Sequence, residues 1–166
     1  IHDTAQDAFD HKARPNASSG AEPYGISFCS ILCERYGQSS STESAGIDVR
    51  GNVQMSQIVC RDFYVEGKNN RGIRFSTGIW KDDDHRIGSD KSSLVDFLID
   101  SGRPDGAGSV GIDLLEASGV SVMGGVVEGC PVGVLTSDSA TGNGNGDGAK
   151  FIGVEVRDAR NRSFQA

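Results

Sequence analysis

A short phrase recurs along the chain and carries ionisable residues in one of its positions. It consists of a small residue, an aliphatic or aromatic residue, a variable residue and usually a second apolar residue. The copies are GISF at 25–28, GIDV at 46–49, GIRF at 72–75, GIDL at 111–114 and GVLT at 133–136. In the three central copies with an ionisable residue, the variable position holds Asp48, Arg74 and Asp113. An arginine between two carboxylates in equivalent positions is a candidate for acid–base chemistry on a charged substrate.

The segments between these copies indicate how the phrase is repeated. Short alternating apolar stretches dominate, and the nearest helix candidate, SLVDFLID at 93–100, also alternates as a strand would. A link of seven residues joins an aliphatic residue to the small residue of the next phrase at Val65 to Gly72, Val156 to Ser163 and Ile1 to Ala8. One fixed turn with insertions elsewhere is typical of a parallel β-helix, in which each repeat forms one rung of a solenoid.

Stacked rungs would bring the variable residues together on one surface. Side chains alternate across a strand, so the variable residue points away from the core. The resulting outward line is Asp10, Ser27, Asp48, Arg74, Asp113, Leu135 and Gln165. The next outward position gives Lys12, Cys29, Arg50, Ser76, Leu115 and Ser137. Asp48 and Asp113 would then lie two rungs apart, at roughly 9–10 Å between their Cα atoms.

Two interpretations of this surface stay open. As a saccharide groove, it would use Asp48 and Asp113 as acid and base, since carboxylates about 6.5–9.5 Å apart suit an inverting glycosidase. Arg74 would alternatively neutralise a uronate carboxylate before a lyase or epimerase base removes the adjacent proton, with Arg50 as a substrate contact. In the other interpretation the same residues form a solvated salt-bridge ladder that relieves repulsion between neighbouring strands.

An inserted loop at 76–93 lies within the long step between the copies at 72–75 and 111–114. It contains Trp80, the single tryptophan of the chain, together with Asp83 and His85. An aromatic ring stacks on the apolar face of a sugar while carboxylates accept from its hydroxyls, so we predict substrate contacts here, with His85 as a candidate base. The alternative is a charged surface loop whose tryptophan covers apolar core.

Composition excludes several classes of protein. The net charge of −7 argues against binding nucleic acid, and no apolar run reaches the roughly 18 residues that a membrane span needs. The four cysteines lack zinc-site spacing and are expected as buried thiols, or as two disulfides if the protein is secreted. The stretch GNGNGDG at 142–148 resembles the start of a calcium loop, but Val154 stands where the bidentate glutamate belongs. We therefore predict a flexible turn there, no metal site and no cofactor, with calcium as the alternative.

The rungs resemble those of the pectin-lyase-like superfamily of right-handed parallel β-helices. GVSVMGGVVEGCPVGVLT and GVEVRDARNRSF are similar to rungs of alginate C5-epimerase catalytic modules and NosD-type repeats, and phage tailspikes share the architecture. The resemblance covers 1–10 and 25–165. It implies an all-β fold, a right-handed parallel β-helix of about six to seven rungs with loop insertions.

The epimerases of this superfamily carry an aromatic-Asp-Pro-His motif on the equivalent strand. Here the matching stretch is Phe9-Asp10-His11-Lys12, in which Asp10 matches, the proline is replaced and the histidine falls one place early. The resemblance therefore implies Asp10 as a catalytic candidate. By alternation, His11 would point inward and Lys12 outward.

Together these features predict a single β-helix domain over 1–166 that recognises, and as a lyase, epimerase or glycosidase modifies, a polysaccharide outside the cell. The alternative is a noncatalytic structural or receptor-binding β-helix, such as part of a phage tailspike or an adhesin on a virion surface. Such a chain would form a homotrimer or dock end-on to another chain. Because both termini read as the middle of a rung, we expect the chain to be a piece of a longer solenoid.

Overall fold

A computed structural model describes residues 1–12, 26–38, 44–76, 78–79, 86–87, 92–103, 108–114, 117, 119–136, 149–159 and 162–165. Over these residues the protein is all-β. They contain no helix, and therefore none that could cross a membrane. Two parallel sheets share one apolar core.

The first sheet has six strands in the order β1-β3-β5-β9-β11-β13. Its strands are β1 (Phe9–Lys12), β3 (Ala45–Arg50), β5 (Arg71–Ser76), β9 (Val110–Asp113), β11 (Val132–Leu135) and β13 (Arg162–Gln165). Every recurring phrase from the second copy onward falls on one of these strands, so the repeat marks this sheet. Residues paired in register across neighbouring strands form a register line; one line consists of Phe9, Ile47, Ile73, Ile112, Val134 and Phe164.

The second sheet has five strands in the order β12-β10-β8-β4-β2. They are β2 (Ile26–Glu34), β4 (Val53–Arg61), β8 (Ser93–Asp100), β10 (Ser121–Glu128) and β12 (Lys150–Arg157). The segment 93–100 is thus a strand rather than a helix. Apart from a short antiparallel pair, β6 (Gly78–Ile79) with β7 (Arg86–Ile87), the described strands alternate between the two sheets along the chain.

Each strand of the five-stranded sheet contains one residue with a left-handed backbone. These residues form a register line of their own, with φ between 53° and 61°: Ser30, Gln57, Asp96, Gly124 and Gly153. The left-handed residue adds one position to the alternation, so Met55 and Ile58 on either side of Gln57 are both buried. The sequence pattern of these strands is therefore apolar-x-apolar-x-x-apolar-x-apolar, with small exceptions such as Ser92 and Gly125.

Glycines allow the two sheets to approach closely. A Cβ at Gly72 would lie 2.4 Å from Ile99 Cγ2 on β8, and a Cβ at Gly111 would lie 2.2 Å from Val127 Cγ1 on β10. Real Cβ atoms do not approach other atoms so closely, which explains why the first position of the recurring phrase is glycine on these strands. At Gly72 and Gly111, the six-stranded sheet thus packs directly against the five-stranded sheet.

Candidate functional site

The register confirms the predicted order Asp48, Arg74, Asp113 on the six-stranded sheet, but Asp10 has Asp48 as its neighbour rather than Ser27. Asp10 pairs with Asp48, Asp48 with Arg74, and Arg74 with Asp113. The same register line continues to Leu135 and Gln165. In the next position, Lys12, Arg50 and Ser76 are also aligned. Asp48 and Asp113 therefore lie one strand to each side of Arg74, as the spacing of the phrases predicted.

The placement of Ser27 and Cys29 on this surface was wrong. Ser27 lies on β2 of the five-stranded sheet and pairs with Gln54, and Cys29 pairs with Ser56. The phrase GISF resembles the others in residue type, but it belongs to a nine-residue strand with the pattern of the five-stranded sheet. Leu115 and Ser137 lie outside the described residues.

Burial of the two central carboxylates is the main difference from the expected solvated surface. Asp48 is 2% exposed and Asp113 is fully buried, while the Arg74 side chain retains 16% of its exposure. Nearly every described residue of β3, β5 and β9 is buried, including those that alternation places on the outer side. The partners of the two carboxylates include Arg71, Arg74 and Ser76 of β5, which are distant in sequence, so alternation alone could not indicate the burial.

Three arginines neutralise the buried carboxylates. Arg74 Nη1 lies 4.0 Å from Asp48 Oδ2, and Arg74 Nε lies 3.9 Å from Asp113 Oδ2. Arg50 Nη2 lies 3.7 Å from Asp48 Oδ2, and Arg71 Nε donates to Asp113 Oδ2. Buried charges persist when they are paired in this way. We name these five residues, Asp48, Arg50, Arg71, Arg74 and Asp113, the Asp–Arg cluster.

Sequence reasoning missed Arg71. It lies at the first position of β5, directly before the glycine of the phrase, and its side chain is 10% exposed. Besides pairing with Asp113, it accepts a hydrogen bond at its backbone oxygen from the Tyr36 hydroxyl, at 2.8 Å. One signal was available in the sequence. The residue before the glycine of the phrase is alanine in the preceding copy and valine in the following ones, but arginine here.

The surroundings of Asp48 shift the pKa of its carboxyl group. Burial raises the pKa of Asp48 above its ordinary value, and the nearby Arg74 and Arg50 guanidinium groups oppose that rise. The Ser76 hydroxyl lies 3.3 Å from Asp48 Oδ1 and donates to it. A carboxyl whose proton is retained to higher pH can serve as a general acid, and its conjugate base is stronger than an ordinary aspartate.

The end strand β1 places Asp10 and His11 on different sides. Asp10 is exposed, whereas His11 is half-buried and its ring packs edge-on against Phe28, with 5.2 Å between ring centroids. Burial lowers the pKa of His11 below its ordinary value. The inward direction predicted for His11 is confirmed. Asp10 is therefore beside Asp48 in register while His11 contacts the core, and the Lys12 side chain is outside the described part.

The remaining predicted contacts cannot be placed. Trp80, Asp83 and His85 lie outside the described residues, as does the glycine-rich stretch 142–148. Among the described residues, no group of three or more histidine, cysteine, aspartate or glutamate side chains could hold a metal ion. The cysteines are free thiols: Cys33, Cys60 and Cys130 are buried, while Cys29 is exposed and differs from the buried thiol expected there.

Comparison with known proteins gives no match to a protein-family model, a curated protein or a solved structure. The geometry of the Asp–Arg cluster therefore carries the functional argument.

Proposed function

We propose that the chain is a right-handed parallel β-helix of the pectin-lyase-like kind. Support comes from the alternation of strands between two parallel sheets over a common core. Consecutive strands face each other: Gly46 on β3 contacts Cys60 on β4, Gly72 on β5 approaches Ile99 on β8, and Gly111 on β9 approaches Val127 on β10. A solenoid in which each rung contributes one strand to each sheet produces this order. A crystal structure with an open sandwich or a left-handed path would contradict it.

The six-stranded sheet is, in this proposal, the surface that binds an acidic polysaccharide. The observation that carries the proposal is the register line in which Arg74 lies between Asp48 and Asp113, with Arg50 beside it. Arginine guanidinium groups recognise carboxylates through paired hydrogen bonds, so Arg50 and Arg74 are suited to a uronate. Both side chains keep part of their surface exposed, unlike the two aspartates.

The different partners of the two buried carboxylates favour chemistry with one acid–base group. Asp113 is fully buried and paired with Arg71, so its role is to hold the arginines in place. Asp48 then acts as the base: as a carboxylate, it removes the proton from C5, the carbon that bears the uronate carboxyl group. Arg74 neutralises the negative charge that develops on that carboxyl group. In a lyase reaction the C4–O bond would then break, leaving a C4=C5 double bond, and the departing glycosidic oxygen would take a proton from water. In an epimerisation, water would instead return a proton to the opposite face of C5.

Turnover on a panel of polyuronates tests this function. We expect release of unsaturated sugars or a change in uronate stereochemistry, detected by NMR of the products, and its loss in Asp48→Asn. Glu155→Gln is the matched control, because Glu155 is an exposed carboxylate on the five-stranded sheet. Activity that survives Asp48→Asn would contradict the assignment of Asp48.

A second candidate is a noncatalytic structural or receptor-binding β-helix, such as part of a tailspike or an adhesin. It is favoured by the pairing of both buried carboxylates with arginines, which is also what a stabilising ladder requires. Polysaccharide binding without turnover, together with a concentration-independent trimer in light scattering, would support it. Both candidates imply a protein that acts outside the cell or on a virion surface.

A further inference from the structure

Three buried polar residues directly precede neighbouring strands of the six-stranded sheet. Ser44 precedes β3, Asn70 precedes β5 and Ser109 precedes β9, and their exposures are 1%, 0% and 1%. Backbone hydrogen bonds connect them in register: Arg71 N donates to Ser44 O at 2.8 Å, and Val110 N donates to Asn70 O at 3.1 Å. The three residues therefore lie side by side, and we name them the polar line.

Each residue of the polar line has a buried side-chain oxygen without a protein partner: Ser44 Oγ, Asn70 Oδ1 and Ser109 Oγ. The Asn70 amide is oriented by its nitrogen, which donates to Phe63 O at 2.8 Å. Rotating the amide would place its oxygen against that carbonyl, so Oδ1 must accept from elsewhere. Leaving a buried polar group unpaired costs about 1–3 kcal/mol, and native proteins rarely leave three neighbours unpaired.

We propose that the polar line binds two ordered water molecules, one between Ser44 and Asn70 and one between Asn70 and Ser109. The three side-chain oxygens share no direct hydrogen bond, and the spacing of about 4.8 Å between neighbouring strands suits one bridging water. Asn70 Oδ1 has two lone pairs and accepts from both waters. Each water also bonds a serine hydroxyl, so all three oxygens gain partners.

Water suits this site better than a cation. The three oxygens come from neutral side chains, whereas hard cations in proteins prefer sites that include carboxylates. The Asp7 carboxylate lies beside Ala45, the residue after Ser44, and already accepts from Ala45 N at 2.7 Å. The Arg71 guanidinium group belongs to the residue after Asn70 and donates to Asn69 O, which adds a positive charge near the polar line.

The polar line would position the Asp–Arg cluster without taking part in binding. Its three residues lie four positions before Asp48, Arg74 and Asp113, immediately ahead of the strands that carry them. Bridging waters would fix the starts of these strands relative to one another. This inference does not depend on the proposed polysaccharide function, because it concerns hydration of the fold alone.

The sign of a stability change tests the proposal. If waters bridge the serines, Ser44→Ala and Ser109→Ala each remove a satisfied hydrogen bond, and each lowers the melting temperature by about 2–4 °C. If the hydroxyls have no partner, the same variants melt at or above the wild type. Ser27→Ala, at an exposed serine of the five-stranded sheet, is the control and is expected to leave the melting temperature unchanged.

A high-resolution crystal structure of the wild type completes the test. We expect density for one water between each pair of neighbours in the polar line, and loss of the adjacent water in Ser44→Ala. The proposal is overturned if either alanine variant melts at or above the wild type. It is also overturned if the oxygens bond each other directly, or if the density shows the short contacts of a metal ion.

Discussion

Asp48 and Arg74 face each other in register across β3 and β5, with 4.0 Å between Asp48 Oδ2 and Arg74 Nη1. Arg74 makes the equivalent approach to Asp113 on its other side. One guanidinium group therefore compensates two carboxylates that are almost entirely removed from solvent. Arg74 is therefore the arginine that the two carboxylates of the Asp–Arg cluster share.

Replacing Arg74 should destabilise the protein more than replacing a surface arginine. We expect Arg74→Ala to lower the free energy of unfolding by about 3 kcal/mol, because two buried carboxylates lose a shared counter-charge. Urea unfolding followed by circular dichroism measures this loss. Arg61→Ala, at a residue with 51% side-chain exposure, is the control and should cost less than about 1 kcal/mol.

A double variant separates charge from packing. In Asp48→Asn/Arg74→Ala, one of the two carboxylates that Arg74→Ala leaves without this arginine has been removed as well. The decrease in the free energy of unfolding should therefore be smaller than the sum of the two single decreases by about 1 kcal/mol or more. Strict additivity would mean that Arg74 does not compensate Asp48.

The raised pKa of Asp48 predicts a pH dependence of stability. A carboxyl whose pKa is higher in the folded state than in the unfolded chain binds its proton preferentially when folded. Its contribution to the free energy of unfolding therefore declines as pH rises from the ordinary value of 3.8 through the folded pKa. Asp48→Asn cannot ionise, so its stability relative to the wild type should improve as pH rises from 3.8 through the folded pKa. A difference that stays constant with pH would show that Asp48 has an ordinary pKa.

The recurring phrase made much of the six-stranded sheet predictable. A glycine, an inward aliphatic residue and an outward variable residue recur on β3, β5 and β9, and the register pairs Asp48, Arg74 and Asp113 as the phrase indicated. This worked because backbone alternation and close glycine contacts are local constraints that the sequence repeats. The polysaccharide function and the roles of the cluster residues remain predictions.

The five-stranded sheet and the burial of the cluster were harder to predict. A left-handed residue such as Gln57 shifts the alternation halfway along each strand, so a strict period of two fails there. Ser27 was misplaced for another reason, because GISF matches the recurring phrase in residue type although it lies on β2. The burial of Asp113 and its pairing with Arg71 depend on packing between segments far apart in sequence, for which no local pattern exists.

Gly72 should tolerate no side chain. The Cβ of Gly72→Ala would lie 2.4 Å from Ile99 Cγ2 and 2.6 Å from Gly111 O, so we expect a loss of about 3 kcal/mol in the free energy of unfolding. Adding Ile99→Ala should not restore stability, since the backbone oxygen of Gly111 remains in place. Recovery in the double variant would show that the side-chain contact alone excludes alanine.

Gly124 should be sensitive to backbone conformation instead. Its φ is +53°, and a Cβ there would meet nothing within 4 Å, so only the left-handed backbone matters. We expect Gly124→Ala to lose about 1 kcal/mol and Gly124→Asn to lose less, because asparagine tolerates this conformation. Thermal or urea unfolding shows which of the two variants is more stable. An alanine variant as stable as the asparagine variant would contradict a left-handed backbone at Gly124.

Binding to a polyuronate, measured by titration calorimetry, tests the central claim most directly. Arg50→Ala/Arg74→Ala removes two arginines from the Asp–Arg cluster, while Arg61→Ala/Arg157→Ala removes two exposed arginines from the five-stranded sheet and changes the net charge equally. The titrations are made well below the melting temperature of each variant. We predict that Arg50→Ala/Arg74→Ala weakens binding at least about tenfold, or about 1.4 kcal/mol, and that Arg61→Ala/Arg157→Ala leaves the affinity within about twofold of the wild type. Equal weakening by both pairs, or no binding by the wild type, would contradict a polysaccharide site on the six-stranded sheet.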